Sequence, residues 1–82
     1  MSKKVLVADA NPHIARLIEV NLQRQGYEVV MALDARTVVA TAKAEKPDLV
    51  VVDSQMSEVA AALRNDPLTE SIKVLILPEK RA

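Results

Sequence analysis

Two short apolar runs, Val5-Leu-Val-Ala and Leu49-Val-Val-Val, each end on an aspartate, Asp9 and Asp53, and this pairing constrains the fold more than any other feature. Neither run alternates apolar with polar residues, so both read as strands buried on two faces of a parallel sheet. As neighbours about 4.8 Å apart they would deliver both carboxylates to one edge, the carboxyl edge at which open α/β sheets place their ligands.

The segments between and after these runs alternate helix with strand. Asn11-Pro12 starts a helix, because the Asn oxygen accepts from orphan N–H groups and proline fits the first helical position. Ile14, Leu17, Ile18 and Leu22 recur at helical spacing, with Arg16, Glu19, Gln23 and Arg24 on the other side, and Gly26 supplies the left-handed stop. Tyr27 to Ala32 reads as a second strand nearer an edge, and Asp34 caps a second helix over 35–46 that turns Val38, Val39 and Ala42 inward and is closed by Pro47. The third strand is Asp48 to Val52. A short alanine-rich helix follows, capped by Ser57 and ended by Asp66-Pro67, and Ile72 to Leu77 is a fourth strand before Pro78 and the charged tail 79–82. The order βαβαβαβ, with short linkers, gives a parallel sheet carrying helices on its faces.

Composition narrows the function classes. At 82 residues the chain is one domain, of a size that hides about 60–65% of its surface on folding. One tyrosine, with no phenylalanine or tryptophan, leaves the core to Val, Leu, Ile and Ala. Eleven basic and eleven acidic side chains cancel, so the electrostatic footprint of a nucleic-acid binder is missing. No cysteine means no disulfide framework and no thiol nucleophile, and the first apolar run is too short for a signal peptide or a membrane span. A cytoplasmic location is the expectation.

Four stretches together resemble the receiver domains of two-component response regulators: Lys4-Val-Leu-Val-Ala-Asp9, Asn21-Leu-Gln-Arg-Gln-Gly-Tyr-Glu-Val-Val30, Lys46-Pro-Asp-Leu-Val-Val-Val-Asp53, and Asp66-Pro67 before Ile72-Lys-Val-Leu-Ile-Leu77. The resemblance covers nearly the whole chain. It implies a flavodoxin-like parallel sheet, here truncated to four strands in order 2-1-3-4 with three helices. It also implies a single receiver-like domain over 1–82 that lacks the fifth strand and its flanking helices.

In that family an aspartate after the third strand accepts a phosphoryl group from a histidine kinase with Mg²⁺ bound, and Asp53 stands at that position. Asp9 and Asp53 are accordingly the candidate metal ligands. The family carries a second acid after the first strand, and here that place holds Ala10, so any Mg²⁺ site should be weak. Met56 survives from the loop after the phosphoacceptor, Ser57 replaces its proline, and the loop contains no glycine. Pro78 falls where the family has a hydroxyl residue that bonds a phosphoryl oxygen, and Lys80 is no clear substitute for the family's lysine.

The leading expectation is therefore a pseudo-receiver that acts by protein–protein interaction, without catalysis and without a certain cofactor. The alternatives are a working Mg²⁺-dependent phosphoacceptor on Asp53 and an architectural module that assembles with itself. Val74, Leu75, Ile76 and Leu77 are apolar on both faces with no following strand to cover them, so they are the candidate interface of a homodimer. The expected partner is a two-component protein or a second copy, with no direct nucleic acid and no membrane. Simpler readings stand beside these. Asp9 and Asp53 can serve as turn aspartates that accept loop N–H groups, His13 as a solvated side chain, alanines 60–62 as helix formers, and Met31 and Met56 as packing filler.

Overall fold

Each helix starts and stops where local chemistry dictates. In the computed structural model, which describes residues 2–78, the elements run β1 (Lys4–Ala8), α1 (Pro12–Arg24), β2 (Glu28–Ala32), α2 (Ala35–Glu45), β3 (Leu49–Val52), α3 (Glu58–Arg64) and β4 (Lys73–Ile76). The charged tail 79–82, with Lys80, lies outside the described residues.

Asn11 Oδ1 accepts from the N–H groups of His13 (2.9 Å) and Ile14 (3.3 Å), which satisfies orphan donors of α1. Gly26, at φ +94°, turns the chain into β2. Asp34 caps α2 by accepting from Thr37 N–H at 3.1 Å. The end of α2 differs from expectation: Lys46 takes the left-handed conformation (φ 49°), and its N–H donates to the Ala42 carbonyl at 2.9 Å. Pro47, the expected stop, follows this turn and is buried.

The strands form one sheet in the order β2-β1-β3-β4. All three pairings are parallel, with Val5 opposite both Val29 and Leu49, and Leu49 opposite Lys73. This is the flavodoxin-like order. Alternation along the strands splits the core in two. Leu6, Ala8, Val50 and Val52 face α2 and α3 and pack with Val38, Ala42, Val59 and Leu63. Val5, Val7 and Val51 face the other way and pack with Ala15, Ile18 and Leu22 of α1.

Three local expectations are corrected. α1 turns Ala15 and Glu19 into the sheet, while Leu17 is 60% exposed. The small Ala15 lets the helix approach closely, and the Glu19 carboxylate is satisfied by the Arg16 guanidinium at 2.6 Å. Ser57 makes no side-chain cap to α3, because a 3-10 turn over Ser54–Met56 runs straight into that helix. Met56 fills the core as expected, but Met31 sits on edge strand β2 and is exposed.

Candidate functional site

Register alone brings the two aspartates together. Beyond the last paired residues, Asp53 N–H donates to the Ala8 carbonyl (2.9 Å), Asp9 N–H to the Ala32 carbonyl (3.2 Å) and Leu77 N–H to the Val52 carbonyl (2.8 Å). Each ladder thus continues one step, and Asp9, Asp53 and Leu77 stand abreast at the carboxyl edge. Parity places all three on the α1 side, since Val7, Val51 and Leu75 precede them by two residues.

The result is a cleft of about 880 Å³ between α1 and the ends of β1, β3 and β4. Asp9 and Asp53 form its head; Ile14, Leu17 and Ile18 of α1, with Leu77, form its apolar wall. Asp9 is buried at 4% exposure and Asp53 is half-buried. Each carboxylate already holds the turn behind it: Asp9 Oδ1 accepts from Asn11 N–H at 2.9 Å, and Asp53 Oδ2 accepts from Gln55 N–H at 3.1 Å. Both therefore perform the turn role open to any aspartate at a strand end, and both keep a second oxygen. Neither is in an ion pair among the described residues.

Ala10 and Pro78 also line the cleft. Neither carries a side-chain ligand or hydroxyl, and proline has no N–H to donate. The donor set for a hard divalent cation is thin: two carboxylates, each with one oxygen accepting from a backbone N–H, and an alanine in place of another acid, so that water would have to complete the shell. Among the described residues no cluster of three or more His, Cys, Asp or Glu side chains offers a metal site.

The remaining candidates fall outside this cleft or extend it. His13 is exposed on the first turn of α1 and takes no part. Of the suggested interface residues, Leu75 (51%) and Ile76 (39%) are exposed on edge strand β4, Val74 is half-buried, and Leu77 turns into the cleft. Asn21, Ser54 and Gln55 of the cleft wall were not legible in the sequence; only their place after the strand-ending aspartates, or one turn along α1, marks them.

A parallel sheet with helices on both faces and paired aspartates at the carboxyl edge of its central strands defines the class: a flavodoxin-like domain with a receiver-type acidic pocket. The family described as the response regulator receiver domain matches residues 5–79, and the chain belongs to that family, which serves two-component signalling. The alkaline phosphatase synthesis transcriptional regulatory protein PhoP of Bacillus subtilis is 39% identical over 80 residues, covering 92% of this chain and 33% of that protein. The chain thus spans about a third of that relative's length. The N-terminal domain of a response regulator receiver protein from Methanoculleus marisnigri JR1 superposes with a TM-score of 0.89 at 31% identity, over 96% of this chain and 68% of that one. The response regulator TrrA, solved in complex with the histidine kinase ThkA, gives a TM-score of 0.82 at 28% identity, over 98% of this chain and 74% of the matched one. No helix among the described residues is long and apolar enough to cross a membrane.

Proposed function

We propose that this domain is a cytoplasmic pseudo-receiver, which takes part in two-component-type signalling by binding a protein partner and performs no phosphoryl transfer of its own. One observation carries the reading: Ala10 and Pro78 flank Asp53 in the cleft and contribute neither charge nor a side-chain donor. Phosphoryl transfer depends on positioning and charge neutralisation around the transferred group, and removing those groups removes most of the chemistry. The kinase-bound state of TrrA supports a protein as the partner class.

The test is intact-mass analysis after incubation with a small acyl phosphate and Mg²⁺, on the wild type and on Asp53→Asn. Folded protein with no phosphoryl adduct is the expected result. A Mg²⁺-dependent adduct on the wild type alone would make Asp53 a working phosphoacceptor and end this reading.

A second reading, self-assembly, is favoured by the exposure of Leu75 and Ile76 on edge strand β4. An apolar edge strand with unpaired backbone groups is a template for another strand. On this reading the wild type sediments as a dimer at micromolar concentration and Leu75→Lys as a monomer; a monomeric wild type removes it.

A further inference from the structure

We infer that the outer edge of β2 is an interface between two copies of this chain, joined as antiparallel strands about a two-fold axis at Val30. The inference is independent of the fate of Asp53 and concerns the edge of the sheet opposite β4.

Hydrogen-bond parity opens this edge. Glu28 N–H donates to the Lys3 carbonyl (2.9 Å) and the Ala32 carbonyl accepts from Asp9 N–H (3.2 Å), so Glu28, Val30 and Ala32 direct their backbone groups to β1. The alternate residues, Val29 and Met31, direct theirs outward, where no strand among the described residues meets them. Edge strands are commonly blunted by a proline, a bulge or an edge lysine. β2 has none of these: its pairing with β1 is unbroken from Glu28 to Ala32, and its one charged residue, Glu28, lies at the strand end with its carboxylate 3.7 Å from Lys4.

Side chains on the edge are apolar and half open. Val29 packs with the α1 cluster, whereas Val30 and Ala32 pack with the α2–α3 cluster. By alternation Tyr27, Met31 and Leu33 share the α1 face with Val29, and they are 37%, 37% and 43% exposed. α1 leaves them open because it packs on Val5 and Val7 of β1 and reaches Val51 of β3. With α1 centred over β1, its two-fold mate stands about three strand spacings away, roughly 14 Å, so the helices do not collide.

Register selects a second copy as the occupant. About an axis at Val30 the whole of β2 is paired: Val29 exchanges both N–H···O=C bonds with Met31 of the second copy, and symmetry repeats the exchange. Tyr27 lies opposite Leu33 of the second copy, so every half-open side chain on that face gains an apolar neighbour. Glu28 falls opposite Ala32 of the second copy, four residues or about 14 Å along the strand from the other Glu28. Moving the axis to Met31 sets Glu28 against Asp34 of the second copy, and moving it to Val29 brings the two Glu28 carboxylates onto a diagonal. The charges thus favour one register.

The test uses the full chain. Sedimentation over a dilution series into the millimolar range should show a dimer that Leu75→Lys, on the other edge, leaves intact. Met31→Lys, at an exposed position, should weaken association at least about tenfold with an unchanged thermal melt. Hydrogen exchange on the wild type reads the edge without mutation: the Val29 and Met31 amides should gain protection with concentration, while those of Glu28, Val30 and Ala32 stay protected throughout. The chain has no cysteine of its own, and Val30→Cys would face its mate in a non-hydrogen-bonded pair about 4.5 Å apart at Cα, within disulfide reach. Mild oxidation with diamide should therefore cross-link Val30→Cys and not Glu28→Cys. A monomeric wild type, a dimer retained in Met31→Lys, a dimer lost in Leu75→Lys, Val29 and Met31 protection independent of concentration, or equal cross-linking of the two cysteine variants would each overturn the inference.

Discussion

Asp9 and Asp53 each spend one carboxylate oxygen on the turn that follows, and this divided duty is the central fact at the residue scale. Their free oxygens face a cleft whose other polar positions have become Ala10 and Pro78. Two other residues carry structure in ways that mutation can read. Thr69 is fully buried, and its hydroxyl donates to the Leu63 carbonyl at 2.6 Å, tying the β4 approach to the end of α3. Thr69→Val keeps the shape but removes that bond, leaving the Leu63 carbonyl the longer contact from the Asp66 N–H (3.4 Å), so urea melts should show a loss of about 0.5–1.5 kcal/mol. Lys46 holds a left-handed conformation that favours glycine. Lys46→Gly should gain a few tenths to about 1 kcal/mol, the relief of strain exceeding the added unfolded-state entropy; a loss in the same melts would show that the Lys46 side chain contributes more than its backbone costs.

At the scale of elements, polar ties hold helices and loops to their neighbours. Lys43 of α2 lies 2.7 Å from Asp66 in the turn after α3. That hydrogen-bonded pair, helped by the Leu68 N–H, holds the Asp66 carboxyl below its ordinary range against the opposing effect of burial. A folded-state pKa depressed in this way stabilises above the unfolded-state pKa and stops doing so as pH falls through the folded value. Asp66→Asn should therefore be less stable than the wild type at neutral pH, with the gap closing below the usual carboxylate range. A gap that stays constant with pH would remove the ion pair as its cause. Lys4 on β1 makes the converse tie: its hydrogen bond to Glu45 (3.0 Å) raises the ammonium pKa, so this contribution is present through neutral pH and fades only in strong alkali.

For the whole molecule, the core is small and unevenly covered. Among the described residues, fourteen of the fifteen buried hydrophobic side chains form two clusters, and the larger lies under α2 and α3. Chains of this length are typically stable by about 4–12 kcal/mol, so the loss of one central side chain is a large fraction. Leu6, at 0% exposure between β1 and the α2–α3 layer, is the sharpest probe. Leu6→Ala should cost about 2–5 kcal/mol, which calorimetry would record as a drop of ten degrees or more in Tm. A smaller shift would mean that this layer relaxes around the cavity.

The sequence by itself determined the strands, their parallel pairing and the convergence of Asp9 and Asp53, because unbroken apolar runs, caps and crossover handedness are local or nearly local properties. It also marked Ala10 and Pro78 as departures, since a missing carboxylate or hydroxyl is visible in one letter. Tertiary structure alone decided which way α1 faces. Helical periodicity grouped Ile14, Leu17, Ile18 and Leu22 as one stripe, but close approach at Ala15 turned Glu19 inward and left Leu17 in solvent. It likewise decided that Ser57 does not cap α3, because the 3-10 turn occupies the backbone before it. The cleft beside α1 could not be read from any local pattern, because it forms only where the sheet order brings the ends of β1, β3 and β4 together beside that helix.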